Sequence, residues 1–326
     1  MSDRPRPGKL KVAVLYGGQS GEHEVSLMSA ASVMKALDEH KYDITPVFIS
    51  RTGEWALPFE ALRRFDVVFP VLHGPMGEDG TVQGLLTLLG VPFVGAGVVG
   101  SAVGMDKAIF KDVMRAHGLP VVRHIVVRRS QWAASPAEVE SAVVNQLGFP
   151  CFVKPANLGS SVGVTKVKGA HQLPAGMAEA LKWDRKVLIE QAVPQARELE
   201  VSVLGNDELQ ASVVGEITPS REFYDYAAKY LDKGESASGL HIPAPIPDAL
   251  AQLIREMAVE AATLADVRGM ARVDFLMNGE TGEVFINEIN TIPGFTDISM
   301  YPKLWAATGI AYGELLDRLI ELAMER

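Results

Sequence analysis

Across its first hundred residues the chain alternates short apolar strands with helices, and no other feature narrows the fold as much. The pattern predicts strands at 11–16, 43–50, 66–72 and 91–94, with helices at 23–38 and 81–89 between them. Strands joined by helical crossovers run parallel, because each crossover must bury its helix on a sheet face. Ligands of such open sheets sit beyond the carboxyl ends of the strands. That edge carries Tyr16-Gly-Gly-Gln-Ser-Gly-Glu22 after the first strand and His73-Gly-Pro-Met-Gly-Glu-Asp-Gly80 after the third. Neither loop has the G-x-G-x-x-G spacing, and the second strand ends Ile49-Ser50-Arg51 with no acid to hold a ribose, which argues against a dinucleotide.

After Gly104 the texture changes. Amphipathic helices are expected at 105–117, closed by Gly118 and Pro120, and at 136–147, closed by Gly148 and Pro150. Strands at 151–154, 162–167 and 187–190 accompany them and imply a second α+β unit. Beyond it come strands at 198–204 and 211–217, an aromatic-rich polar loop, a helix at 248–265, a hairpin and a terminal helix. Boundaries near 104 and 189 divide the chain into units 1–104, 105–189 and 190–326. Residues 85–105 lack any charge and are long enough to span a bilayer. Gly90, Pro92, Gly95, Gly97, Gly100 and Gly104 instead break the run into a helix end, a short strand and a loop. With no apolar N-terminal leader either, a cytoplasmic enzyme is expected.

The 326 residues are 48% hydrophobic and 22% charged, enough for a large core. A net charge of −9 without a basic run excludes nucleic acid as the natural partner. Cys151, the sole cysteine, sits in an apolar run and reads as a buried, unreactive thiol.

Residues 271–294 form the most chemically explicit stretch. Two alternating strands, 272–277 and 284–290, flank Asn278, Gly279 and Gly282, which supply a turn. With a side-chain period of two, Arg272 and Asp274 share one face, as do Glu288 and Asn290. Two carboxylates and an amide that become cross-strand neighbours make a site for a hard cation such as Mg²⁺ or Mn²⁺, with phosphate oxygens completing the shell. On the hairpin alone, a surface ribbon with solvated charges stays open.

Three further segments carry candidate ligands. Lys154-Pro-Ala-Asn-Leu-Gly-Ser-Ser-Val-Gly163 joins a strand end to small residues whose backbone N–H groups can approach phosphate, although it is not a Walker A loop. Lys107 in the first turn of its helix is a second phosphate candidate, and Glu22 offers the crevice a carboxylate for an amine. Phe223-Tyr-Asp-Tyr-Ala-Ala-Lys-Tyr230 has the composition of a lid that excludes water, or of an ordinary aromatic core stripe.

Taken in order, GGQSGEHEVS, LHGPMGEDGTVQG, GMDK, VKPANLGSSVGV, FYDYAAKY, ARVDF and NEINTIPGFTDISMYPK resemble the D-alanine–D-alanine ligase family of the ATP-grasp superfamily, from Lys11 to the C-terminus. The resemblance implies a Rossmann-like N-terminal α/β sheet followed by two α+β ATP-grasp subdomains. It implies that ATP phosphorylates the carboxylate of one D-alanine and that the amine of a second displaces phosphate, giving the dipeptide of peptidoglycan precursors. By similarity Lys107, Lys154 and Ser161 would bind ATP phosphates. Glu190, Gln191 and Val193 would border adenine, and Glu198 the ribose. Asp274, Glu288 and Asn290 would hold two Mg²⁺ ions, with Mn²⁺ a possible substitute. Glu22 would take the first ammonium and connect through Ser160 to Tyr230. Arg272 and the Gly294 N–H would face the oxyanion, and His73, Lys229, Ser299 and Met300 the second D-alanine. A homodimer is the family expectation. Two rivals stay open: a ligase that accepts D-lactate or D-serine, and a nucleotide-binding regulator that has lost catalysis.

Overall fold

The computed structural model describes residues 8–218, 239–296 and 298–325. β1 (Leu10–Gly17), α1 (His23–Ala36), β2 (Tyr42–Ile49), β3 (Val67–Pro70) and α2 (Thr81–Leu89) build a parallel sheet in the order β2-β1-β3. Both faces of β1 are buried, as expected for a parallel sheet covered on two sides. Val12 and Val14 join one core and Ala13 and Leu15 another. The expected fourth strand shrinks to a single parallel bridge between Val68 and Phe93. Pro92 has no N–H to offer a ladder, and Gly90 and Gly95 turn the chain on either side with positive φ.

The uncharged run holds a second surprise, because the expected loop before Met105 is a helix, α3 (Val98–Met105). Its glycines serve packing and not turning. A methyl group on Gly100 would lie 2.6 Å from the Asp266 carbonyl oxygen, and one on Gly104 3.0 Å from Thr291. Asp106 then caps α4 (Lys107–Ala116), its carboxylate accepting from the Ile109 N–H at 3.1 Å.

β4 (His124–Arg128), α5 (Arg129–Ala134), α6 (Pro136–Gln146), β5 (Cys151–Pro155), β6 (Thr165–Val167), α7 (Leu173–Trp183) and β7 (Lys186–Gln191) form the next layer pair, an antiparallel sheet ordered β4-β7-β5-β6. β6 starts three residues later than expected, because positive φ at Ser160, Ser161 and Gly163 keeps the preceding chain in a turn. Cys151 is buried here, and burial raises its thiol to about 11.

β8 (Arg197–Gly205), β9 (Gln210–Ala211), β10 (Gly215–Thr218), β11 (Gly239–His241), β12 (Gly269–Met277) and β13 (Val284–Asn290) make the third sheet, along the path β11-β10-β8-β12-β13. Helix Asp248–Leu264 lays Ile254, Ala258 and Ala261 against Val201, Val203 and Val273. The terminal helix is two, Met300–Ala307 and Tyr312–Met324. The second returns to the first sheet, where Leu316 and Leu319 share a core with Val12 and Phe69. The two ends of the chain therefore clamp together, and the carboxyl edge of the first sheet faces the hairpin sheet.

Candidate active site

The hairpin pairs in the register that the alternation requires, with Arg272 opposite Asn290 and Asp274 opposite Glu288. The Arg272 guanidinium forks onto Asp274 at 2.6 and 2.7 Å, and its Nε lies 3.0 Å from Glu200. Burial opposes the charge on Arg272, but Asp274 and Glu200 outweigh it and hold the guanidinium fully protonated. Asn290 Nδ2 donates to Asp274 at 3.0 Å, which directs the amide oxygen away from that carboxylate. Asp274, Glu288 and the Asn290 oxygen thus form an oxygen-only donor set, which fits a hard divalent cation. Among the described residues no three acids, histidines or cysteines group into a metal cluster, so the set depends on its amide and on ligand oxygens.

Beside the hairpin lies a cavity of about 410 Å³ bordered by Lys107, Lys154, Glu190, Glu198, Asp274 and Glu288. Ser161, Gln191 and Val193 also line it. Lys107 Nζ donates to the Leu158 carbonyl at 2.8 Å and stands 3.4 Å from Glu288. Lys154 makes a short ion pair with Glu190, whose other oxygen is 2.7 Å from the buried Lys111. Burial works against both charges, yet the lysines draw the Glu190 carboxyl down to about 2, and Glu190 raises Lys154. The Glu190 side chain thus meets both lysines, and Glu190 itself borders the cavity.

At the opposite edge Glu22 accepts a short hydrogen bond from the Ser160 hydroxyl, joining the first sheet to the Gly/Ser loop across 138 residues. Gly74 and Gly159 clear the space for this carboxylate: a methyl group on either would lie 2.7 Å from a Glu22 oxygen. His73 is buried, with Nε2 3.1 Å from the Ser29 hydroxyl and Nδ1 3.1 Å from the Ile292 carbonyl. Burial lowers its pKa, so the ring is neutral at physiological pH and orients its surroundings. Gly294 approaches Ser299 so closely that an added methyl would meet the hydroxyl at 2.7 Å. That hydroxyl accepts from the Thr296 N–H at 3.0 Å. The Met300 side chain, at the start of a helix, packs in a core with Ile217 and Leu304. Lys229 and Tyr230, with the rest of the 223–230 lid, lie outside the described residues.

Several residues escaped the sequence reading. Glu200 is buried on β8 opposite Asp274, and its signal was the alternation Glu198, Glu200 on a strand beside the hairpin. Asn287 borders the cavity because a bulge slips the pairing after Asp274, which plain alternation cannot foresee. Glu78 accepts from the Gly74 N–H at 2.7 Å and the Ile292 N–H at 3.3 Å. Burial and the nearby Glu22 carboxylate nonetheless push it up to about 8.

Two family models match the chain: "D-ala D-ala ligase N-terminus" over residues 11–64 and 56–96, and "D-ala D-ala ligase C-terminus" over 113–321. The chain is 50% identical over 353 aligned positions to a D-alanine–D-alanine ligase of Thermoanaerobacter sp. (strain X514), covering 97% of each. It is 48% identical to one of Deinococcus radiodurans, covering 97% of this chain and 99% of that one. Among solved structures it is similar to the D-alanine–D-alanine ligase of Coxiella burnetii, at 35% identity and a TM-score of 0.85 over 98% of this chain and 94% of that one. The VanG D-Ala:D-Ser ligase of Enterococcus faecalis matches at the same identity and TM-score, over 97% of this chain and all of that one.

Proposed function

The chain belongs to the D-alanine–D-alanine ligase family, and on that premise we propose how its own residues divide the ATP-dependent joining of two D-alanines for peptidoglycan precursors. One observation carries the proposal: the acid row Glu200, Asp274, Glu288 lies on one face with Arg272 and Asn290, bordering a cavity that also holds Lys107 and Lys154. That combination suits phosphoryl transfer, which needs positioning and charge neutralisation more than covalent participation by the protein.

In this reading the triphosphate lies along Lys107, Lys154 and Ser161, with Glu190, Gln191 and Val193 beside the base and Glu198 beside the ribose. Asp274, Glu288 and Asn290 would hold two Mg²⁺ ions, replaceable by Mn²⁺, which when bound would neutralise the phosphate oxygens. Glu22, fixed by Ser160, receives the ammonium of the first D-alanine and so aims its carboxylate at the γ-phosphorus. A carboxylate oxygen attacks, ADP departs and an acyl phosphate forms. The neutral amine of the second D-alanine, placed by Ser299, Lys229, the Met300 backbone and the surroundings of His73, then attacks the carbonyl carbon. Arg272 and the Gly294 N–H meet the oxygen on which charge develops. The C–O bond to phosphate breaks, the amine releases a proton, and the peptide bond remains. Tyr230 and the 223–230 lid keep water from the acyl phosphate.

The same proposal divides the chain into units 1–104, 105–189 and 190–326 and includes a cytoplasmic homodimer. No helix among the described residues is long and apolar enough to cross a membrane. Carboxylate-labelled [¹⁸O]D-alanine tests the chemistry. One ¹⁸O atom transferred to each phosphate released is the expected result, and unlabelled phosphate would rule out the acyl phosphate route.

A further inference from the structure

We propose that Lys111 is a positioning residue that keeps Lys154 electrically available to the nucleotide phosphates. The inference rests on the reading of Lys154 as a phosphate ligand. Lys111 stands one turn after Lys107 on α4 and therefore near the same helix face. Lys107 reaches the cavity, but the Lys111 side chain is 0% exposed and does not border it. A wholly buried lysine is a poor device for stability alone, since an apolar side chain of similar volume commonly does as well or better.

Its partner supplies the reason for it. Glu190 turns one oxygen to Lys111 at 2.7 Å and the other to Lys154, so a single carboxylate bridges a core lysine and a cavity lysine. Burial lowers the pKa of Lys111 and the Glu190 carboxylate opposes that shift; with Lys111 protonated, the three side chains carry one net positive charge. Without Lys111, Glu190 would neutralise Lys154 one for one, and a triphosphate would meet a neutral pair. The neighbouring cation is itself paired, with Lys107 3.4 Å from Glu288. His124, which faces Glu190 in the sheet register, adds no charge at neutral pH, since burial lowers its pKa. Lys111 thus takes up part of the Glu190 field and leaves Lys154 cationic toward the cavity.

The test compares Lys111→Met with Lys111→Met/Glu190→Gln in the full chain at saturating D-alanine and Mg²⁺. Lys111→Met is expected to raise the KM for ATP by roughly tenfold, from loss of one unit charge beside the Lys154–Glu190 pair, with the KM for D-alanine unchanged within about twofold. Adding Glu190→Gln restores the net charge and is expected to lower the KM for ATP again, a rescue that a packing role would not produce. An ATP KM that stays at the wild-type value in Lys111→Met, or a double variant no better than the single, would overturn the proposal. Should Lys111→Met fail to fold, Lys111→Arg and Lys111→Gln replace it. The KM for ATP should stay near wild type in the arginine variant and rise in the glutamine variant, and equal values in the two would count against the charge relay. Lys154→Met separates the two levels: an unchanged ATP KM there would remove the phosphate reading of Lys154 itself, whatever the Lys111 variants do.

Discussion

The two poles of the site are built by opposite means. At the phosphate pole Arg272, Asp274, Glu288 and Asn290 ride on adjacent strands, and their spacing is set by a ladder that continues through Glu200 on β8. At the substrate pole Glu22, Ser160 and Glu78 sit on loops brought together from distant parts of the chain, with Ser160 in a left-handed conformation at φ 50°. A sheet gives precision to groups that must hold their geometry whether or not ligand is present. Loops give a site that different segments must complete together, and that ligand can tighten.

The largest effect expected is on the sheet pole. Arg272→Met should cut kcat by about 10²- to 10³-fold, the usual loss for one oxyanion donor. It should also destabilise the fold by roughly 3 kcal/mol or more, because Glu200 and Asp274 lose their shared cation. Steady-state kinetics with urea unfolding would check both, and an intact Tm would contradict the ladder account. On the loop pole the two properties should come apart. Ser160→Gly and Ser160→Ala should both lose about 10- to 100-fold in kcat, as for a hydrogen bond to a charged group. Ser160→Gly should nonetheless be the more stable variant by about 1 kcal/mol, since glycine adopts positive φ freely.

A smaller effect concerns pH. Glu78 titrates near 8 in the folded chain, above the ordinary carboxylate value of 4.5. The folded state therefore holds a proton that the unfolded state releases, so stability falls as pH rises between these values, by at most about 1.4 kcal/mol per unit. Glu78→Gln should flatten that slope in denaturation measured from pH 5 to 8.5, and an unchanged slope would place the proton elsewhere. The smallest effect is dynamic: ATP should slow amide exchange in residues 156–164 while β12 and β13 exchange as before. Equal slowing at both poles would erase the distinction.

The same contrast explains what could be read from the sequence. The hairpin was legible because polar residues at alternate positions, bounded by Asn278 and Gly282, leave few registers. Glu22 and Lys154 were legible as chemistry and the Glu22–Ser160 link only through the family resemblance, whereas nothing in the sequence tells that Lys111 meets Glu190, since that contact depends on how a helix packs on a sheet. α3 was misread because its glycines have two uses, turning a chain or admitting a neighbour, and only tertiary structure distinguishes them. Asn287 was missed for a related reason, since one bulge moves a residue onto a face that strict alternation denies it.

The most direct measurement is product analysis by mass spectrometry after incubation with ATP, Mg²⁺ and an equimolar mixture of D-alanine, D-serine and D-lactate, with phosphate quantified in parallel. D-alanyl-D-alanine as the main product, with one phosphate released per dipeptide and none without divalent cation, is the predicted result. A mainly depsipeptide or D-alanyl-D-serine product, or ATP binding without any turnover, would contradict it.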